Sequence, residues 1–246
     1  GGTQERLFLN SQLGCNSSCS YCYLPIENIP IGIRPQLSIS PEELFNLLIK
    51  DERFISGKSG TILSIGCFSE CFDKKNKKNT INFINKILKF KNWVQVATKR
   101  QVFHNDLVEL ISSEHWDNQL VVYISSATIA EWTAFESGTT KPNIRFKSFD
   151  ACNALGVRSF LYIKPVITDV TIRDIKNYSN LIEKFSIDAI VGDVFSANVL
   201  NTGERSPISE NLVVTKPQDI DIIRLHLSRF GRVFSNSTDP LLEKKL

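Results

Sequence analysis

Methionine is missing from all 246 residues, and nothing in the sequence accounts for that. Long apolar runs are missing too. None approaches the roughly 20 residues that a membrane-spanning helix needs, so no spanning segment is expected. No charged-then-apolar leader opens the chain, and its first residues, GGTQ, read as a trimmed terminus. No Pro/Gly/Ser-rich linker and no low-complexity stretch divides the chain, which excludes a string of small tethered modules. A large charge excess is absent as well. Lys+Arg 29 against Asp+Glu 26 leaves +3, which neither demands a nucleic acid nor excludes a local basic face.

What is present is ordinary globular material, 42% hydrophobic and 22% charged, in a chain long enough to bury a sizeable core. The six cysteines are not needed as staples in such a chain, and their clustering argues against a disulfide framework. A reducing, cytoplasmic compartment is therefore expected.

Short apolar runs recur at 6–10, 61–66, 93–98, 120–126, 158–167 and 187–195. Segments with helical spacing lie between them, at 40–50, 80–90, 105–113, 144–156 and 171–185. The first opens with Ser40 as N-cap, Pro41 in the first turn and Glu43 closing a capping box. Gly156 stands where a helix would end. This alternation predicts an α/β fold with a parallel sheet. Six units are too few for an eightfold barrel, so the expectation is a partial (β/α)6 barrel of the TIM type, with a doubly wound sheet as runner-up. The barrel is expected over residues 1–200. A short C-terminal extension, one helix from 216 and a tail, is expected to pack on it over 201–246. In either architecture ligands bind at the C-terminal ends of strands, so the residues after each strand carry the functional weight.

The densest such stretch is GCNSSCSYCYL at 14–24, which spaces Cys15, Cys19 and Cys22 as Cys-x3-Cys-x2-Cys. A structural zinc site takes four ligands. Here the other cysteines are distant, and His104, His115 and His226 are scattered. Three adjacent thiolates suit a [4Fe-4S] cluster with one iron left without a protein ligand, whereas clusters used only for electron transfer normally take four cysteines. A zinc knuckle and three core thiols are the alternatives.

This spacing, just after the first strand of an α/β chain, resembles the signature of the radical S-adenosylmethionine (radical SAM) superfamily. The wording CSYCYLP, with Tyr21 and Tyr23, narrows the likeness to the spore photoproduct lyase-like group. GCFSECFD (66–73), VATKR (96–100) and FESGTTKPNIRFKSFDACNALGV (135–157) are similar to that group in register, over about Arg6 to Ile167. The resemblance implies a cluster held by Cys15, Cys19 and Cys22, with S-adenosylmethionine chelated to the open iron and cleaved to a 5′-deoxyadenosyl radical that takes hydrogen from substrate. It implies an electron donor such as flavodoxin or ferredoxin. It puts Tyr21 near the adenine and Ser69 near S-adenosylmethionine.

Cys67 falls where the lyases keep a hydrogen-donating thiol; a small buried hydrophobe is the plain alternative. Cys71 matches less well, and Cys152, within a helical apolar face, reads as core. Lys99 at the end of the third strand is a candidate for the cofactor carboxylate or ribose, against a surface lysine. Ser125 and Ser126 end the fourth strand. They point opposite ways, so at most one faces the site. Glu136 is a candidate for the ribose. Arg145, at the head of a helix, suits a carboxylate, against a solvated first-turn charge. Lys164 interrupts an otherwise apolar strand and is a candidate for the substrate. The run DKKNKK at 73–78 reads as a solvated loop, and the three tryptophans as packing.

Two substrates are compatible with that chemistry. The lyases carry an additional N-terminal region that has no counterpart here, and the +3 charge is modest for DNA. A peptide or other non-DNA substrate is therefore favoured, bound by the barrel mouth or with a helper protein. Repair of a pyrimidine dimer, with a nucleic acid as the less favoured partner, is the alternative. A non-catalytic cluster- or zinc-binding scaffold is the third reading.

Overall fold

The computed structural model describes residues 1–33, 35, 37–192, 197–198, 205–206 and 217–243. The apolar runs become β1 (Arg6–Leu9), β2 (Ile62–Ile65), β3 (Val94–Thr98), β4 (Leu120–Ser125), β5 (Arg158–Ile163) and β6 (Asp188–Val191). The helices are α1 (Pro41–Ile49), α2 (Lys77–Leu88), α3 (His104–Ile111), α4 (Lys147–Ala154), α5 (Ile175–Phe185) and α6 (Pro217–Leu227). The capping box of α1 forms as the sequence predicts. The Glu43 N–H donates to Ser40 Oγ at 3.1 Å and the Ser40 N–H to Glu43 Oε2 at 2.8 Å.

A seventh strand, β7 (Val233–Phe234), lies in the stretch expected to be only a helix and a tail, and pairs in parallel with β6. Two residues are too short a run to stand out by alternation. The expected boundary at 200/201 falls outside the described residues, as do 193–196 of the sixth apolar run. On its far side, α6 and β7 join the same layers as the rest.

The seven strands lie in chain order, and every neighbouring pair is parallel. A doubly wound sheet would reverse its order at a switch point. This one does not, which fits a partial barrel. Among the described residues β1 and β7 do not pair, so the sheet is open.

Side-chain parity divides the sheet into two cores. Leu7, Leu63, Val96, Val122, Leu161 and Ala189 point to the helices and join Ile84, Leu107, Phe149 and Ile182 in one large cluster. Ile62, Trp93, Val121, Tyr123, Phe160 and Ile190 point the other way and form a smaller one on the concave side. Each fully buried aliphatic side chain contributes roughly 1.5–3 kcal/mol before entropy is set against it. Cys152 is buried in the helix-facing cluster, as expected, and so is Cys71.

Three expectations are corrected. The fifth strand ends at Ile163, so Lys164 follows the strand instead of interrupting it, and the peptide bond from Lys164 to Pro165 is cis. Pro165 has no N–H to offer a ladder. The helix expected over 144–156 is two pieces, Pro142–Arg145 and α4. Lys77 and Lys78, expected in a loop, begin α2, where Lys77 Nζ meets Asp106 Oδ1 at 2.8 Å.

Candidate active site

The loop after β1 brings the three cysteines to the C-terminal edge of the sheet. Gly14, at φ +110°, begins it, and its N–H donates to the Phe68 carbonyl beyond β2 at 3.0 Å. Ser18–Cys19 pairs antiparallel with Glu136–Ser137, so Cys19 stands beside Glu136. Gly138 (φ +76°) lies against the loop so closely that a Cβ there would meet Ser17 Cα at 3.1 Å. Arg100 ties the parts together. It donates to the Gly138 carbonyl at 2.6 Å, to Asn16 Oδ1 at 2.6 Å and to Ser17 Oγ at 3.0 Å, and it pairs with Asp73 at 3.4 Å.

Cys15, Cys19 and Cys22 line one cavity of about 380 Å³ with Cys67, Ser69, Lys99, Ser125 and Lys164. Burial raises the thiol pKa of all three loop cysteines, that of Cys19 to about 12, although Lys99 opposes the shift at Cys19 and Cys22. Three buried thiols of this kind become thiolates only beside strong positive charge, which bound metal supplies. Among the described residues no group of three or more His, Cys, Asp or Glu side chains is drawn together around a single ion. The three loop thiols are one donor short of the four that a structural zinc site takes, and three thiolates suit a cluster with one iron left without a protein ligand.

Tyr21 lies behind the loop, with its hydroxyl donating to Glu136 Oε1 at 2.5 Å and Lys99 Nζ 5.5 Å from its ring centroid. Lys99 Nζ donates to Ser125 Oγ at 2.9 Å. Ser126 turns away, and its hydroxyl donates to the Thr128 carbonyl at 3.0 Å. The odd positions of β4 therefore face the cavity, a parity the sequence left open.

Glu136 and Arg145 do not line the cavity. Both are fully buried, paired at 2.8 Å. Arg145 also donates to the Ser125 carbonyl, to Thr139 Oγ1 at 2.8 Å, and to the Thr140 carbonyl from Nε at 3.0 Å and Nη2 at 2.7 Å. Its fork is filled by the protein. Burial alone would raise the Glu136 pKa, but Arg145, Lys99, the Ala127 N–H and the Tyr21 hydroxyl outweigh it, and the carboxyl is held below its usual range.

Cys67 and Cys71 separate clearly. Cys67 lines the cavity, with its thiol pushed up to about 11 by burial and the Tyr23 hydroxyl donating to its carbonyl. Cys71 donates its S–H to the Ala97 carbonyl at 3.2 Å inside the core. The stem of Lys164 runs over Gly192, where a Cβ would meet Lys164 Cδ at 3.0 Å.

Some cavity residues escape a sequence reading centred on strand ends. Glu70 accepts from the Lys99 N–H at 2.9 Å and from the Thr98 hydroxyl. Arg6, Ser64 and Gln95 form a polar row on the concave face of the sheet. The available signal was a polar residue on alternate positions of apolar strands, as in Leu63-Ser64-Ile65 and Val94-Gln95-Val96.

No family model matches the chain, and a search of curated protein sequences gives no match. Solved structures do match, and they are radical SAM proteins. Streptococcus suis SuiB bound to its precursor peptide SuiA superposes with TM-score 0.67 at 12% identity, over 96% of this chain and 49% of that one. A spore photoproduct lyase mutant with bound AdoMet and dinucleoside spore photoproduct gives 0.60 at 13%, over 92% and 76%. A radical SAM methyltransferase from Sphaerobacter thermophilus gives 0.64 at 12%, over 94% and 65%. The chain spans about half the length of SuiB. At these identities the likeness is one of fold.

Proposed function

We propose that this chain is a radical SAM enzyme that modifies a peptide or another non-DNA substrate. The observation that carries the reading is the meeting of Cys15, Cys19 and Cys22 at the rim of a cavity at the C-terminal edge of a parallel, chain-ordered sheet. A [4Fe-4S] cluster held by the three thiolates, with S-adenosylmethionine on its open iron, would supply a 5′-deoxyadenosyl radical when reduced.

The chain's own residues then orient and enclose. Tyr21, fixed by Glu136, forms a flat wall beside the loop, suited to the adenine. Lys99 and Ser125, already hydrogen-bonded to each other, offer a cation and a hydroxyl to the cofactor's carboxylate and ribose. Ser69 lies against the loop through the bridge of its backbone to Gly14. Glu136 and Arg145 act from behind, by holding Tyr21 and the Ser125 backbone. Cys67 is a thiol positioned to return a hydrogen atom to a carbon radical, and Lys164 borders the substrate side. A small electron donor such as flavodoxin or ferredoxin supplies the electron, and the cavity mouth itself or a helper protein binds the peptide. The six free cysteines fit a reducing compartment such as the cytoplasm, and among the described residues no helix is long and apolar enough to cross a membrane. The match to SuiB with its precursor peptide supports the peptide reading.

Photoproduct-lyase-like repair is the second reading, supported by Cys67 facing the cavity and by the lyase match. Anaerobic reconstitution tests both readings against a zinc-binding scaffold. The expected result is about four irons per chain and 5′-deoxyadenosine on addition of dithionite and S-adenosylmethionine, both lost in Cys19→Ala. Bound zinc with no such product would end both radical readings. Repair of photoproduct-containing DNA would select the second.

A further inference from the structure

Arg6 is the basic residue of the cavity that the proposed chemistry does not use. It lies on β1, and its guanidinium reaches the concave interior, where Nε donates to Ser64 Oγ at 2.7 Å. The Gln95 amide, turned so that its oxygen faces Arg6, accepts from Nε at 3.0 Å and Nη2 at 2.8 Å, and its nitrogen then donates to the Ser237 carbonyl at 3.2 Å. The Phe8 ring lies 4.8 Å beneath Cζ. Every one of these partners is neutral. The other guanidiniums around the site are neutralised, Arg100 by Asp73 and Arg145 by Glu136. Among the described residues no carboxylate pairs with Arg6.

The basic groups also divide the cavity. Lys99 donates to Ser125 Oγ and lies 5.5 Å from the Tyr21 ring centroid, and Arg100 donates to Asn16 and Ser17 of the cysteine loop. Arg6 reaches Ser64 and Gln95 in the interior of the sheet instead. Arg6 is thus hydrogen-bonded to strand residues, whereas Lys99 and Arg100 hold the residues around the cysteine loop. A partly buried guanidinium that lines the cavity and has neutral hydrogen-bond partners is suited to an anion that arrives with the ligand.

We propose that Arg6 is the substrate-recognition cation of this cavity and takes a side-chain carboxylate of the peptide substrate, as in Glu or Asp. The proposal rests on the peptide-modifying reading and adds the chemical class of its substrate. A carboxylate fits better than a nucleic-acid phosphate. Arg6 pairs with Ile62 at the start of β2, two residues before Ser64 and well below the strand ends. A carboxylate at the tip of a methylene stem reaches such depth. A backbone phosphate, flanked by two sugars, stays at the mouth.

The test uses the reconstituted holoprotein, saturated with S-adenosylmethionine so that the cofactor carboxylate is already placed. Calorimetry compares acetyl-Ala-Glu-Ala-amide with acetyl-Ala-Gln-Ala-amide, and thymidylyl-thymidine as the phosphate probe. The Glu peptide is expected to bind about tenfold more tightly than the Gln peptide, from one charge-assisted fork. Arg6→Gln erases the preference, and Arg6→Lys, which keeps the charge without the fork, retains part of it. Thermal unfolding of each variant shows that it is folded. Equal binding of the two peptides, no saturable binding of the Glu peptide, or a preference unchanged in Arg6→Gln would overturn the proposal. Arg6-dependent binding confined to the dinucleotide would overturn it in favour of a phosphate. Formation of 5′-deoxyadenosine is measured on the same samples. Its absence counts against the radical reading alone, whereas its presence without a peptide preference counts against Arg6 alone.

Discussion

The two faces of the parallel sheet use the same strands for different ends. On the convex face Leu7, Leu63, Val96, Val122 and Leu161 form an apolar surface under the helices, interrupted at Ser159, the register partner of Val122. On the concave face Ile62, Trp93, Val121 and Phe160 fill one end, and toward the other the row changes to Ser64, Gln95, Tyr123, Ser125 and Tyr162 around the cavity. A period-two backbone makes this division one residue wide. Adjacent residues of a strand serve different faces, so substitutions at neighbouring positions are expected to separate stability from chemistry.

The largest expected effect breaks that simple division. Glu136 is polar and fully buried, yet it lies outside the cavity and joins Tyr21, Arg145 and the Ala127 N–H. Glu136→Gln leaves a buried guanidinium without its counter-charge, at a cost of about 3–5 kcal/mol. The pH dependence carries a sign. The carboxyl is held below its ordinary value, so its stabilisation is complete above the unfolded pKa near about 4.3 and is lost as pH falls through the folded value. Denaturant melts of the wild type are expected to weaken below about pH 4 for this reason. The Gln variant should be weaker at neutral pH and flatter in acid. Parallel curves for the two proteins would mean that Glu136 is not ionised in the fold.

A smaller effect sharpens the division at one peptide bond. Leu63→Ala, on the convex face, is expected to cost about 2–5 kcal/mol of stability, while 5′-deoxyadenosine formation per folded molecule stays unchanged. Ser64→Ala, its neighbour on the concave face, is expected to cost about 1 kcal/mol, because Gln95 still accepts from Arg6. Its effect should appear in ligand binding. Chemical denaturation and product yield, measured on both variants, decide the matter. Equal stability losses would show that the concave interior is packed as a second core with no functional difference.

Much of this was legible in the sequence, and the limits have physical causes. The six strands, the order of the helices and the capping box at Ser40 follow from periodicity and cap chemistry, which are local. The cysteine loop was legible because three thiols in eight positions have few uses. Cys67, Lys99 and Ser125 stood at strand ends, Ser69 came from the resemblance and Lys164 from a charge in an apolar run, and all line the cavity. Position in sequence says nothing about orientation, so Ser126 at a strand end, Arg145 at the head of a helix and Glu136 were selected too, and these turn inward to the protein. A reading centred on strand ends missed Arg6, Gln95 and Ser64 because they lie within strands, at positions whose facing only the register of neighbouring strands decides. Arg100 was hidden for another reason. Its partners Asn16, Ser17, Asp73 and Gly138 come from three separate segments.

A smaller loss of stability than that of Leu63→Ala tests how far the convex side reaches. Gly156 ends α4 at φ +67°, as the sequence suggested, and a Cβ there would meet nothing within 4 Å. Gly156→Ala therefore costs only the backbone term for a left-handed residue, about 1–2 kcal/mol. Gly138 has a similar φ of +76° but lies on Ser17 of the cysteine loop. The two glycines share a conformation and differ in what they touch. Alanine at 156 is accordingly expected to lower the unfolding midpoint while iron retention stays at the wild-type level. Iron lost in proportion to the stability change would couple the far end of α4 to the cysteine loop. The two faces would then not be independent, and the division would hold for packing but not for function.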